Sequence, residues 1–227
     1  MDMISSYKEL PIGKYRKIMD LCRDESLSHF NMQMAVFSVL SDMSEDVLLD
    51  MPITEFQKIA LAATFLEKDI PEQDGHKVAA VYSIGIWELI PDLDVSKLTT
   101  AQYVDFQMFC KEDGNIAQLL SCFLIPKGCK YGRGYDIAQV HEALEAELSI
   151  YDASVLTAFF LKKCQRSING ILTSSIRDTR TLPKAVRKEV KAKVMEMKVL
   201  LSGAGAGLQM SMLFPNWYAV RGMMCGR

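Results

Sequence analysis

The sequence predicts a mainly α-helical protein: a multi-helix domain with a small β-hairpin and an extended C-terminal arm. Three observations indicate this class. Apolar residues recur at helical spacing through most of the 227 residues, one short stretch is rich in β-branched and aromatic residues, and the last twenty residues are apolar but interrupted. The hydrophobic fraction of 49% and the charged fraction of 24% are those of an ordinary globular protein.

The first third of the chain predicts short helices. Pro11 can open a helix whose apolar positions include Ile18. A second helix is expected over about 30–40, where a wide apolar stripe recurs. A third is expected to start at a capping box formed by Thr54 and Gln57.

A β-hairpin is predicted within 77–91, because this stretch concentrates β-branched and aromatic residues around Gly85. Its strands are expected at about 77–83 and 86–91. The step Ala79-Ala80 leaves a helix as the alternative. A lone two-stranded hairpin is only marginally stable in water. We therefore expect it to lie on the helices or to add to the sheet of a neighbouring chain.

Helices are predicted to resume at Thr99 or Thr100, either of which is a good N-cap. In this helix four residues are expected to share one side: Tyr103, Phe106, Gln107 and Cys110. A nearly all-apolar helix should follow over 116–125, and its lack of a polar face predicts burial at the centre of the domain.

A glycine-rich surface loop is expected over 127–135, with Asp136 as the N-cap of the next helix. A further helix is predicted from about 152 to 171. The loop carries three basic residues and two tyrosines, so it is compatible with binding a phosphate or a nucleic-acid backbone and equally with a plain connection.

The chain is divided on this basis into a helical domain at 1–182 with the hairpin inserted, a basic amphipathic helix at 183–202, and a glycine hinge with an apolar arm at 203–227. Four basic residues of the predicted helix recur at i, i+3, i+4 and i+7 and form a cationic face: Lys184, Arg187, Lys188 and Lys191. We expect them to contact acidic neighbours or DNA.

The charges are distributed unevenly along the chain, although the net charge is only −2. Residues 1–159 hold 13 Lys and Arg against 25 Asp and Glu, whereas residues 160–227 hold 13 against 3. Such asymmetry indicates a basic surface for nucleic acid, or a molecule whose positive end meets the negative end of a neighbour.

No catalytic, cofactor or metal site is predicted, and we do not expect an enzyme. The six cysteines form no CxxC pair and the three histidines no HExxH motif, so the cysteines are expected as thiols. A Cys–His pair assembled in space stays open. The glycines at 203–207 follow a predicted helix rather than a strand, which favours a hinge over a nucleotide cradle. No apolar run is long enough to cross a bilayer.

The segment 208–227 contains four methionines, three aromatic residues and no acid. It is too apolar for a solvated tail and too broken to form a core alone. It can dock on its own domain or insert into another subunit, where flexible methionines and aromatic anchors suit an interface. The anchors we expect are Met212, Phe214, Trp217 and Tyr218.

Three stretches resemble helical structural proteins of tailed bacteriophages and their prophages, especially the crAss-like phages. They are TTAQYVDFQ at 99–107, LLSCFLIPKGCKY with GYDI within 119–137, and LSIYDASVLTAFFLKK at 148–163. The opening LPIGKYRKI at 10–18 is similar as well. These are patterns of apolar and turn residues and carry no catalytic chemistry.

The resemblance implies a virion protein, made in the cytoplasm of the bacterial host, of the ring or head–tail connector type. Such a structural ring subunit would sit in the portal-proximal neck or tail barrel, assemble head-to-tail as a homo-oligomer and anchor through its C-terminal arm in neighbouring portal or tail ring proteins. Two alternatives stay open: a tail assembly chaperone, and a nucleic-acid-binding protein that uses the basic helix. A ring subunit can also contact DNA passing through its channel.

Overall fold

The computed structural model of the chain is mainly α-helical, with one small antiparallel sheet, as predicted. It describes residues 3–68, 70, 78–92, 98–109, 116–160 and 163. The predicted basic helix at 183–202 and the hinge and arm at 203–227 lie outside these residues. Within the described part, no helix combines the length and the apolar character that a bilayer crossing requires.

Helices α1 (Ile12–Arg23) and α2 (His29–Ser41) confirm the first two predicted helices and pack against each other. Pro11 precedes α1 with φ −64°, a value that its ring fixes and that suits a helix start. Ser28 caps α2, since its hydroxyl oxygen accepts a hydrogen bond of 3.2 Å from the backbone N–H of Asn31.

A short helix, α3 (Glu45–Leu49), was not predicted from the sequence. Ser44 caps it, with its hydroxyl oxygen 3.4 Å from the backbone nitrogen of Val47. Only Leu48 of this helix is buried. The rest of α3 therefore faces the surface.

Helix α4 (Ile53–Ala62) continues into a 3-10 turn at Ala63–Glu67. The predicted capping box of Thr54 and Gln57 is wrong, because the N-cap of α4 is Pro52, two residues before Thr54. The fixed φ of proline prepares the chain for the helix, so Thr54 lies inside the first turn and does not cap it.

The predicted hairpin is confirmed, with strands β1 (Tyr82–Ile84) and β2 (Trp87–Pro91). Strand β1 starts later than the predicted 77–83. A third strand, β3 (Leu124–Pro126), pairs antiparallel with β2 and gives the sheet order β1-β2-β3. A three-stranded sheet is more stable than a lone hairpin. Strand β3 of the same chain therefore supplies the support that the hairpin needs.

Helix α5 (Thr100–Phe109) starts where the sequence predicts. The Thr99 hydroxyl oxygen accepts from the Gln102 backbone N–H at 3.2 Å, and the Gln102 side-chain oxygen accepts from the Thr99 N–H at 2.9 Å. This pair is a capping box. Of the residues expected to share one side of this helix, Phe106 is buried and Tyr103 is exposed.

The predicted single helix over 116–125 is wrong. Helix α6 (Ile116–Ser121) ends after six residues, a two-residue turn follows, and the chain then enters β3. The sheet competes successfully for this segment: the Asp92 N–H donates to the Phe123 carbonyl at 2.7 Å, and Pro126 has no N–H to continue a helix. The predicted burial of the segment is confirmed.

Helix α7 (Ile137–Glu147) is capped by Asp136, as predicted, through a hydrogen bond of 2.9 Å from the Ala138 N–H. Helix α8 follows at 150–160 and starts two residues before the predicted position. Two residues connect the helices, Leu148 and Ser149, and Ser149 forms an isolated bridge with Pro11.

The core is centred on the turn between α6 and β3. The fully buried ring of Phe123 stacks on Phe160 of α8, with centroids 4.2 Å apart, and meets the edge of Phe106 of α5 at 5.3 Å. These contacts bring α5, α6, β3 and α8 together around one residue.

The N-terminal segment, residues 10–12, forms backbone hydrogen bonds to the connection between α7 and α8. The Ile12 N–H donates to the Leu148 carbonyl at 3.0 Å, and the Ile150 N–H donates to the Leu10 carbonyl at 2.8 Å. Just beyond, a Cβ added at Gly13 would lie 3.0 Å from the backbone oxygen of Glu145. Helices α1 and α7 therefore approach too closely at this point for a larger residue.

Candidate interaction surfaces

Helix α5 presents an apolar surface to solvent. Tyr103, Val104 and Met108 are 55%, 57% and 48% exposed. Val104 and Met108 lie four residues apart on one face of the helix, and Tyr103 borders that face. We call these three residues the α5 face. Single exposed apolar residues are ordinary on a protein surface, but a cluster of three on one helix makes this surface a candidate interaction site.

The opposite side of α5 is already used by the domain. Phe106 is buried against Phe123, and the buried Gln102 side chain donates to the Cys122 carbonyl at 3.1 Å. A helix that is apolar on both sides is normally covered on both sides. Helix α5 is thus packed on one side, while its other side is left uncovered by the described residues.

A second apolar surface lies on α3 and the start of α4. Val47, Leu49 and Ile53 are 53%, 59% and 67% exposed and fall within seven consecutive residues. Exposed acidic residues surround them in the sequence: Glu45, Asp46, Asp50 and Glu55. We call the three apolar and four acidic residues together the α3–α4 surface.

The predicted surface loop at 127–135 is confirmed, and it is tightly built. Three glycines adopt positive φ, and the Arg133 N–H donates to the Lys130 carbonyl at 2.8 Å in a turn around Gly132. Lys127 forms an ion pair of 2.7 Å with Glu88 of β2. Lys130 and Arg133 are exposed and form no ion pair with the described residues.

Tyr131 fastens this loop to α5. Its hydroxyl donates to the Asp105 carboxylate at 2.7 Å and lies 3.9 Å from the Cys122 sulfur. Burial and the hydrogen bond to Asp105 both raise the pKa of Tyr131 above its ordinary value, so the hydroxyl stays protonated. The loop is therefore held at a fixed position beside the helix that carries the α5 face.

Ser121 and His141 form a pair that the sequence does not suggest, since twenty residues separate them. The Ser121 Oγ lies 2.6 Å from His141 Nε2 and 2.6 Å from the Gln118 carbonyl oxygen. A hydroxyl has one proton, and a carbonyl can only accept it. Ser121 therefore donates to Gln118, and His141 Nε2 donates to Ser121.

This arrangement does not prepare Ser121 for attack on a substrate. The imidazole donates to the hydroxyl rather than removing its proton, and Ser121 is only 1% exposed. Phe109 of α5 packs edge-on to the His141 ring at 5.8 Å. Burial lowers the pKa of His141, against the opposing effects of Glu145, Asp105 and Asp136. The pair links α6 to α7.

Cys22, Cys122 and Cys129 are thiols, as expected for cysteines in this part of the chain. Cys22 is buried, and burial raises its pKa to about 11, which keeps it an unreactive thiol. The Cys122 sulfur contacts the Gln118 carbonyl at 3.7 Å. Among the described residues, no three histidine, cysteine or acidic side chains are grouped as metal ligands would be.

All eight site residues predicted from the sequence lie outside the described residues: Lys184, Arg187, Lys188, Lys191, Met212, Phe214, Trp217 and Tyr218. The α5 face and the α3–α4 surface are additional candidates. No protein-family model, no curated protein and no solved structure matches the chain. Its function is therefore inferred from its own surfaces and sequence.

Proposed function

We propose that the chain is a structural ring subunit of a phage portal-proximal neck or tail barrel, which assembles head-to-tail and anchors through its C-terminal arm. The observation that carries the structural part of this proposal is the α5 face. A helix with its inward side fixed to Phe123 and its outward side apolar is built to be covered by another polypeptide.

The α5 face is too small to hold an assembly by itself. Full burial of a large apolar side chain contributes about 1.5–3 kcal/mol, so covering the exposed half of three such residues contributes about 2–4 kcal/mol. Micromolar association requires about 8 kcal/mol. The arm at 208–227, with Phe214, Trp217 and Tyr218, is the segment of the sequence best suited to supply the remainder.

The unequal charge distribution supports head-to-tail contacts over contacts between identical faces. A ring closes when one patch of a protomer meets a different patch of the next, and an acidic part with a basic part gives two such unlike patches. The phage setting rests on the resemblance at 99–107, 119–137 and 148–163. The first of these stretches contains Tyr103 and Val104 of the α5 face.

Lysine substitutions on the α5 face test the proposal. In Val104→Lys with Met108→Lys, two charges would enter the interface. We expect the unaltered chain to form an oligomer in light scattering and this variant to have a lower mass. A matched variant, Ser83→Lys with Gln139→Lys, adds the same charge at exposed polar positions. It should assemble normally. Equal masses for the two variants would contradict a role for the α5 face.

A further inference from the structure

We propose that the α3–α4 surface binds the basic segment at 183–202 of a second copy of the chain. This inference rests on the proposed ring function and names one of its contacts. The α3–α4 surface is apolar at its centre and acidic around it, and the segment has the complementary composition.

The centre of the α3–α4 surface consists of Val47, Leu49 and Ile53, each more than half exposed. Helix α3 turns only Leu48 inward, so nearly all of it is available to a partner. Helix α4 begins directly after Pro52 and buries Ile59 further along, which leaves its first turn at the surface. The apolar residues are thus held on two helices, α3 with its Ser44 cap and α4 after Pro52, rather than on a loop.

The charge around this centre has one sign. Residues 42–57 contain five acidic residues and no lysine or arginine. Asp42 is neutralised by Lys14 at 2.6 Å. The other four acidic residues form no ion pair with the described residues: Glu45, Asp46, Asp50 and Glu55. The negative potential of the α3–α4 surface therefore favours a partner that carries lysine or arginine residues.

The segment at 183–202 has the matching chemistry. It contains six lysines and arginines against two glutamates. Its apolar residues recur at helical spacing: Val186, Val190, Met197 and Leu201. An amphipathic basic segment that meets an acidic, apolar surface gains from both apolar burial and opposite charges.

A second copy is the occupant that fits a closed ring. Each protomer then carries one acidic surface and one basic segment, and each contact joins unlike patches on successive protomers. DNA could attract the basic segment, but it would be repelled by the acidic residues around Val47 and Leu49. The α3–α4 surface therefore favours a basic protein segment as its partner and disfavours DNA.

Charge reversal with mixing tests the contact in the full chain. One variant, Asp50→Lys with Glu55→Lys, makes the surface basic, and the other, Lys188→Glu with Lys191→Glu, makes the segment acidic. Each variant alone should self-associate about 100-fold more weakly than the unaltered chain, because like charges then face each other. An equal mixture of the two should regain association, since each brings the complement of the other.

The control carries the same change of charge elsewhere. Glu25 and Glu142 are exposed, and Glu25→Lys with Glu142→Lys should leave self-association unaltered. Thermal unfolding of every variant establishes that the fold is retained. If a charge reversal unfolds the protein, neutral variants are used instead. For the surface they are Asp50→Asn with Glu55→Gln, and for the segment Lys188→Gln with Lys191→Gln. Each neutral pair should weaken association by about tenfold.

The outcomes separate this inference from the ring proposal. If the unaltered chain assembles and the surface reversal does not weaken it, the inference is wrong and the ring proposal stands. If all four substitutions in one chain regain the unaltered behaviour while mixing does not, the segment contacts its own chain, and the inference is wrong. A chain that is monomeric at every concentration contradicts both.

Discussion

The carboxylate of Glu145 on α7 accepts hydrogen bonds from both terminal guanidinium nitrogens of Arg16 on α1, with Nη2 2.9 Å from Oε2. The two-point contact lies beside Gly13, where α1 comes close to the backbone oxygen of the same glutamate. One residue of α7 therefore fixes both the distance and the orientation of α1.

Glu145→Gln should reduce the stability of the fold. The substitution removes the charge but keeps the size, and an ion pair that is partly exposed contributes about 0.5–1 kcal/mol. The loss should appear in urea unfolding at low salt and shrink at high salt, because salt screens the pair. Glu142→Gln on the same helix serves as the control. A similar loss in both variants would contradict a specific role of the Arg16 contact.

Tyr131→Phe should loosen the loop at 127–135 from α5. It removes the hydroxyl that donates to Asp105 at 2.7 Å, and hydrogen bonds to charged groups contribute about 1.5–3 kcal/mol. We expect a loss near the lower value in chemical denaturation, because both residues are only partly buried. Tyr103→Phe on the exposed side of α5 should change stability by less than about 0.5 kcal/mol.

The stability of the fold should fall as the pH is lowered below neutrality. Burial lowers the pKa of His141 in the folded chain below its ordinary value of 6.5, so the unfolded chain binds the proton more readily. The contribution of the neutral ring is complete above the unfolded-state pKa and is lost as the pH falls through the folded-state pKa.

Two measurements check this pH dependence. The NMR titration of the His141 ring in the folded chain should have its midpoint below 6.5. In His141→Gln, whose amide can still bond to Ser121, the part of the pH dependence due to this ring should disappear from thermal unfolding. A titration midpoint above 6.5, or an unchanged pH dependence in the variant, would contradict the assignment.

Local signals in the sequence predicted the elements whose starts are defined by adjacent residues. Asp136 caps α7 and Thr99 caps α5, and both contacts join residues no more than three positions apart. Thr54 and Gln57 have the spacing of a capping box, but α4 starts earlier, directly after Pro52. Two overlapping start signals cannot be ranked from their spacing alone.

Contacts between distant residues account for strand β3, which the sequence did not predict. Ile125 lies in a segment with helical composition, and only its pairing with Ile90 of β2 makes it a strand. Tyr103 and Phe106 were expected on one side of α5, but apolar periodicity does not distinguish a residue that packs on the chain's own core from one that stays exposed. That ambiguity is the reason why the α5 face emerges only from the structure.

The account depends most on assembly through the C-terminal arm, and the mass of the chain in solution with and without 208–227 tests it directly. The full chain should form a closed oligomer of fixed mass by light scattering. The shortened chain should keep its thermal unfolding midpoint and have the mass of a monomer or an incomplete assembly. A shortened chain that forms the same oligomer as the full chain would contradict the account.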